Sequence, residues 1–385
     1  MQSSPLEQAL NPFPFYRRMR ESRPLFYRPE DETWQVFRYA EAEQVLNNSA
    51  LFSSVRNRER GQERPLQNSI LNMDPPQHRQ FRSLVTQAFT PRAVAQLANR
   101  ITSIVTHLLD EVTGSGTMDI IDHLAYPLPV IVIAELLGIP REDRALFKTW
   151  SDAVVNGVDG RGQNRPQPAM SDYFLQVIEE RHKEPQDDLM SALLNAQVDG
   201  HHLSRQELLG FCILLLVAGN ETTTNLIGNA LLCLDEQPDS MEQLYAAPDL
   251  IPGAVEEVLR YRSPVQLTGR IALADTVLGN QHIQAGQRVV ANIGSANRDE
   301  AQFPDPDRFD IRRSPNHHLA FGHGIHFCLG APLARLETKI ALTLLLERFQ
   351  DIRRVPQVPL EPGESILMHG VKHLPVTFRQ RPRSA

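Results

Sequence analysis

Apolar positions recur at three- and four-residue spacing over residues 75–112, 119–138, 204–236, 249–262 and 331–349, which predicts helices in all five stretches. Strand-like pieces are fewer. PLFYRPEDETWQVF (24–37) reads as a hairpin, TVLGNQHIQAGQRVVAN (276–292) as another with Gly279-Asn280 at its turn, and short strand-like pieces follow near the C-terminus. The pattern predicts a mainly α protein with small β-sheets: an α-rich domain with a smaller β-containing lobe. GVDGRGQNRPQPAM (157–170) is dense enough in Gly, Asn and Pro to connect two helices, either as a plain surface loop or as a lid.

At 385 residues and 41% hydrophobic composition, length alone allows two or three domains. No linker, repeat or low-complexity block divides the chain, so residues 1–385 read as one domain. The formal net charge of -7 weighs against a general nucleic-acid binder. The N-terminal MQSSPLEQALNPFPFYRRMR lacks the apolar core of a signal peptide, and no run approaches the roughly 20 apolar residues that span a bilayer. A soluble, cytoplasmic protein that stays off membranes is expected. Cys212, Cys233 and Cys328 are too few and too scattered for a disulfide framework, which fits a reducing compartment.

Cys328 has the most informative surroundings, LAFGHGIHFCLGAPLARLE (319–337). His323, His326 and Cys328 are zinc-binding types, but no second Cys/His pair follows to complete four ligands. A buried, inert thiol is the commonest fate of a free cysteine. Helix signals begin right after Cys328, however, with Pro332 near the first turn, which sets the sulfur at a helix N-terminus where dipole and unpaired N–H groups stabilise a thiolate. Gly322, Gly324 and Gly330 remove side chains on both sides and let backbone approach a flat, bulky ligand, and Phe321 shields the sulfur from water. Such a thiolate suits the iron of a haem.

A second unusual stretch is FCILLLVAGNETTTNLIGNALLCL (211–234), apolar at both ends and polar in the middle. Burying that polar island costs on the order of several kcal/mol unless it is hydrogen-bonded or faces a polar cavity. Threonine bonding back to the helix, with Glu221 reaching solvent, is one solution; a polar cavity is the other. Glu257 and Arg260 in VEEVLRYRSP share a helical face, as do His78 and Arg82 in MDPPQHRQFR, where Asp74 is a plausible N-cap and Pro75 falls in the first turn.

FGHGIHFCLG closely resembles the haem-binding signature of the cytochromes P450, and the resemblance extends over nearly the whole chain with motifs in the family's order. It implies a bacterial-type haem-thiolate monooxygenase of the cytochrome P450 fold, holding haem b (iron protoporphyrin IX) with Cys328 as proximal iron ligand. Phe321, Gly322 and Gly330 would flank the cofactor. AGNETT looks like the family's oxygen-activation motif: Ala218 and Gly219 leave space for O2 and for local helix widening, and Glu221 and Thr222 relay protons. His78, Arg82, Arg270 and His326 match the positions that bind the haem propionates. Glu257, Arg260 and, from DPDRF, Arg308 match a structural triad that braces the cysteine segment. Pocket walls would include Leu214, Val217, Val265, Leu267, Leu367 and Met368, apolar residues suited to a fatty acid, terpenoid or steroid. No G-x-G-x-x-G after a strand and no cysteine cluster is visible, so electrons would come from a ferredoxin or flavodoxin with its NAD(P)H-dependent reductase. Arg79, Arg92, Arg312, Arg313, Arg335 and Lys339 are candidates for the docking face of a monomeric enzyme. A non-catalytic haem sensor and an enzyme acting on carrier-protein-tethered intermediates are the alternatives.

Overall fold

Prolines and capping residues cut the apolar pattern into more elements than its periodicity alone predicts. The computed structural model describes residues 5–55, 69–143, 146–147, 149–150, 168–363, 365 and 367–382. In chain order the main elements are α1 (Phe13–Ser22), β1 (Leu25–Arg28), β2 (Thr33–Val36), α2 (Tyr39–Asn47), α3 (Gln77–Ala88), α4 (Pro91–Gln96), α5 (Ala98–Val112) and β3 (Thr117–Asp119). A π-helical turn at Ile121–Ala125 leads into α6 (Pro127–Leu136), followed by α7 (Pro168–Lys183), α8 (Leu189–Asn195), α9 (Arg205–Glu236), α10 (Pro238–Ala246) and α11 (Ile251–Tyr261). The chain ends with β4 (Thr268–Ala272), β5 (Thr276–Leu278), β6 (Gln281–Ile283), β7 (Arg288–Ala291), α12 (Ala331–Arg348), β8 (Phe349–Arg354) and β9 (Pro375–Gln380).

The expected continuous pattern over 75–112 is three helices. Thr90 caps α4, its Oγ1 accepting from Ala93 N–H at 3.1 Å, and Pro91 cannot continue the preceding helix. Asp74 does not cap α3 with its side chain as expected. Its carboxylate accepts from Ser53 Oγ and Ser54 N–H, while its carbonyl accepts from His78 N–H at 2.9 Å. Of the expected 157–170 connection, residues 157–167 lie outside the described residues and Pro168–Met170 begin α7.

Packing groups the chain into two units, one of residues 1–52, 98–128 and 222–385, the other of 53–97 and 129–221. The named sheets belong to the first, larger unit rather than to a small lobe. There β1, β2, β7 and β4 lie side by side in that order, with β1–β2 and β7–β4 antiparallel and β2–β7 parallel. A second sheet runs β3-β9-β8, and β5-β6 is the expected hairpin. Val36, Tyr39, Leu46, Phe52, Val289, Ala291 and Leu319 pack in one core, so the residue that starts the cysteine loop is anchored under the sheet. In the second unit Phe81 meets Phe211, and Phe147, Trp150, Tyr173 and Phe174 form an aromatic cluster.

One expectation about length is corrected. Helix α9 meets the length and composition of a membrane span, with mean hydropathy 1.2, because the flanking Leu, Ile and Val outweigh its polar centre. That window is 72% buried within the protein, as in the core helix of a globular fold.

Candidate functional site

The loop carrying Cys328 leaves the sheet core at Leu319, makes a 3₁₀ turn at Gly324–His326 and enters α12. Backbone bonds fix it: Phe321 O accepts from Cys328 N–H at 2.8 Å, and Leu319 O accepts from Gly322 N–H at 2.8 Å. Gly322 and Gly324 take φ of 72° and 68°, left-handed values that suit glycine. A Cβ on Gly324 would also lie 3.0 Å from Asn47 Cα, because the loop rests on the end of α2. Cys328 is exposed just before α12, which has Pro332 in its first turn. Cys212 and Cys233 are wholly buried, and burial pushes both thiols up to about 12, which keeps them protonated and inert.

Phe321 and Phe327 sit 6.2 Å apart beside the sulfur, and the Arg335 guanidinium lies 4.5 Å from the Phe321 ring centroid. Arg335 forks onto Glu256 at 2.7 and 2.8 Å, and His318 Nε2 meets the same carboxylate at 3.1 Å. Burial raises the Glu256 pKa, but the bonds from Arg335 and His318 outweigh it and hold the group at about 2. The sequence reading missed Glu256 and His318.

Glu257 and Arg260, on α11, are fully buried and pair through two 2.8 Å bonds. The third member is not Arg308. The Arg308 side chain is exposed and only its carbonyl takes part, accepting from Arg260 Nη2 at 3.2 Å. Arg313 fills the place, its Nε donating to both Glu257 oxygens at 3.2 Å, because the turns between 305 and 313 swing the later arginine inward. Asp310 N–H and Asn316 Nδ2 also donate to Glu257, and Arg260 donates to the carbonyls of Asn297 and Pro306. Asn297 Oδ1 in turn accepts from Leu319 N–H at 2.7 Å, which links this network to the root of the cysteine loop.

Helix α9 treats its polar island residue by residue. Thr224 Oγ1 donates to Ala125 O at 3.1 Å, and Asn229 Nδ2 donates to the carbonyls of Arg262 and His369 at 3.0 and 2.8 Å. Ala218 is exposed, and Gly219, Glu221 and Thr222 are half-buried, in the middle of a helix whose flanking segments are mostly buried. The expected widening at Gly219 is absent. The helix is α throughout, and a Cβ on Gly219 would meet Ile133 Cδ1 at 2.5 Å, so this glycine serves close packing against α6.

Of the expected pocket residues, four converge in the first unit. Val265 bridges Met368, and Gln266 N–H donates to Leu367 O at 2.8 Å, which sets Leu267 on the same segment. Gly370 locks this turn onto α9, where a Cβ would lie 1.9 Å from Asn225 Oδ1. Leu214 and Val217 are buried on the part of α9 that belongs to the second unit. Arg270, on β4, and His326 are half-buried in the first unit; His78, buried, and Arg82, half-buried, lie on α3 in the second. Burial, with Arg82 nearby, lowers the His78 pKa to about 4, so its ring donates as a neutral N–H rather than as a cation.

The donor set tests whether haem suits Cys328. Among the described residues, the group of three or more metal-binding side chains within reach of one another is Asp119, Asp122 and His373, which does not include Cys328. With no such group at Cys328 among the described residues, a porphyrin, which brings its own ring of ligands, suits this sulfur, and Gly330 beside it keeps the approach to Sγ free of a side chain, the position of an added Cβ being 3.9 Å away. The residues fit.

The sequence profile described as "Cytochrome P450" matches residues 147–374. "Cytochrome P450 109" of Bacillus spizizenii is 47% identical over 383 residues, covering 96% of this chain and 93% of that one. The substrate-free crystal structure of CYP109E1 from Bacillus megaterium is 44% identical, covers 97% of this chain and 100% of that one, and superposes with a TM-score of 0.92. The same relative in complex with testosterone gives a TM-score of 0.88 at 44% identity, with 95% of this chain and 99% of that one covered.

Proposed function

Because the chain belongs to the cytochrome P450 family, we propose that it holds haem b through Cys328 and hydroxylates or epoxidises a lipophilic small molecule of steroid type, with electrons from a separate ferredoxin. The chain is a monooxygenase of the mainly α cytochrome P450 fold, its cofactor is haem, and it depends on a redox partner. The observation that carries the proposal is the exposed thiol of Cys328 in a backbone-fixed loop at the start of α12.

Haem held by Cys328 would supply the iron and the redox chemistry needed to activate O2 for oxygen insertion into the substrate. The protein's own residues do the rest. The Cys328 thiolate lends negative charge, and the helix N-terminus stabilises it. Thr222 Oγ1 holds and passes a proton, with the protonated Glu221 carboxyl group as its source. His78, Arg82, Arg270 and His326 offer N–H donors to the propionates. Val265, Leu267, Leu367 and Met368, with Leu214 and Val217, exclude water and orient an apolar substrate. The testosterone complex of a relative sharing 44% of its sequence supports the steroid class.

Titration with testosterone should shift the Soret band saturably, whereas a fatty acid bound to a carrier protein should leave it in place. A shift produced by the carrier-bound acid alone overturns the steroid reading in favour of the tethered substrate. Thr222→Ala should keep substrate binding but divert electrons to hydrogen peroxide, lowering product per electron by up to about 10²-fold, the lower end of what general acid–base catalysis contributes. Coupling equal to wild type removes Thr222 from the relay, and the absence of turnover in both proteins favours a sensor.

The docking proposal narrows with the structure. Arg313 and Arg335 are engaged by Glu257 and Glu256, which leaves exposed Arg312 and Lys339 in the first unit and exposed Arg79 and Arg92 in the second. Reduction by an acidic ferredoxin should slow as salt rises, because screening shortens steering to about 10 Å at 0.1 M. Paired Arg312→Glu and Lys339→Glu should mimic high salt in stopped-flow reduction without altering the substrate-induced Soret shift. Rates indifferent to both changes move the docking face elsewhere. Monomeric, cytoplasmic and membrane-free behaviour belongs to the same proposal.

A further inference from the structure

Glu256 joins three segments of the first unit through one carboxylate. It stands on α11 and receives the Arg335 guanidinium of α12 through Nε at 2.7 Å and Nη2 at 2.8 Å, while His318 Nε2 lies 3.1 Å from the same carboxylate. We propose that Glu256 is a positioning residue for the cysteine ligand: it holds Arg335 on the Phe321 ring and so sets the reduction potential of the iron bound at Cys328. The inference rests on the proposed ligation of haem by Cys328.

Each link to the sulfur is a short contact. Arg335 lies one turn into α12, the helix that opens just after Cys328, and its guanidinium is 4.5 Å from the Phe321 ring centroid, within reach of cation–π attraction. The Phe321 carbonyl accepts from Cys328 N–H at 2.8 Å, so the ring under the cation and the backbone of the ligand belong to one hydrogen-bonded loop. His318 holds the other end. Its side chain is 3% exposed, and its Nδ1 accepts from Ala320 N–H at 3.3 Å, which leaves Nε2 to carry the proton toward Glu256. Glu256 thereby ties the root of the cysteine loop and the helix beyond it to a single anion.

The charges of this cluster are matched in pairs. Glu257, the neighbour on α11, is met by Arg260 and Arg313, which leaves Glu256 to Arg335. Glu256 is ionised at neutral pH, its pKa held at about 2 against the upward pull of burial by Arg335 and His318. Arg335 is cationic throughout, and a neutral His318 suffices as donor. Reduction of ferric haem adds one negative charge, which a nearby cation favours and a nearby anion opposes. Neutralising one member of the Glu256–Arg335 pair exposes the charge of the other, so the two losses act in opposite directions. A pair that only braced the loop would give losses of one sign.

The test is a dye-coupled redox titration of haem-loaded, substrate-free protein. Glu256→Gln, close in shape and still able to accept from both partners, should raise the potential, and Arg335→Gln should lower it. Each shift should reach at least about threefold in the ferric–ferrous equilibrium, about 28 mV for one electron. With Arg335 37% and Glu256 30% exposed, solvent screening keeps it below about tenfold. The double variant Glu256→Gln/Arg335→Gln removes both charges and should return to within about twofold of wild type. Shifts of one sign, no shift in either single variant, or a double variant displaced as far as a single one overturns the proposal. If one single variant yields no haem-loaded protein, the sign of the other decides. The red-shifted carbonyl band separates this inference from the ligation on which it rests. Variants that keep the band with an unmoved potential remove Glu256 from this role and leave Cys328 in place, whereas a wild-type protein without the band overturns both.

Discussion

Cys328→Ser is expected to abolish both turnover and the red-shifted band that reduced P450 proteins show with carbon monoxide. Serine is close in size, and the bond that places the loop, Phe321 O to the 328 N–H at 2.8 Å, uses backbone alone, so the fold should survive. What changes is charge. A thiol at a helix N-terminus ionises near neutrality, whereas a serine hydroxyl stays protonated and lends the iron no comparable electron density. Cys212→Ser and Cys233→Ser are the controls. Their thiols are buried and pushed up to about 12, so replacing them should leave the carbonyl band unshifted. A Cys328→Ser protein that keeps the band shows that another group holds the iron, and the assignment of the loop then fails.

The loop was legible because its information is local: a cysteine among glycines, then proline, then a periodic apolar run. The same locality made α9, α11 and α12 readable, each ending within two residues of the periodic stretch that predicts it. Elements whose order comes from distant partners were not. Strand β4, TGRIA, has no alternation of apolar and polar positions and is a strand because β7 pairs with it. Helix α1 escaped notice behind prolines at 12 and 14, although Phe13, Tyr16 and Met19 bury one face of it. Gly219 was read as room for a gas and a wider helix, yet Ile133 of α6 fills that space, a fact of packing that no single helix records. The bonds from Asn229 are a similar case, since the amide reaches the carbonyls of Arg262 and His369 only after the 369 segment returns to α9.

The exchange of Arg308 for Arg313 carries the second large expected effect. Arg260→Ala should cost about 3 to 5 kcal/mol, the range for breaking a buried ion pair by removing one partner. The guanidinium donates five bonds: two to Glu257 and one each to the carbonyls of Asn297, Pro306 and Arg308. Alanine leaves those carbonyls without this donor in a fully buried site, and Glu257 keeps only Arg313, Asn316 and the Asp310 N–H. Because Asn297 also receives Leu319 N–H, the loss should spread to the root of the cysteine loop and lower the yield of haem-loaded protein along with the melting temperature. Arg260→Lys should fall between, since an ammonium keeps the charge but not the fork. The decisive comparison is with the other two arginines. Arg313→Ala removes a second charge from Glu257 and should be clearly destabilising, whereas Arg308→Ala truncates an exposed side chain and should stay within about 0.5 kcal/mol of wild type. Denaturant melts of the three alanine variants rank them, and an Arg308→Ala loss as large as that of Arg260→Ala would return Arg308 to the triad and displace Arg313 from it.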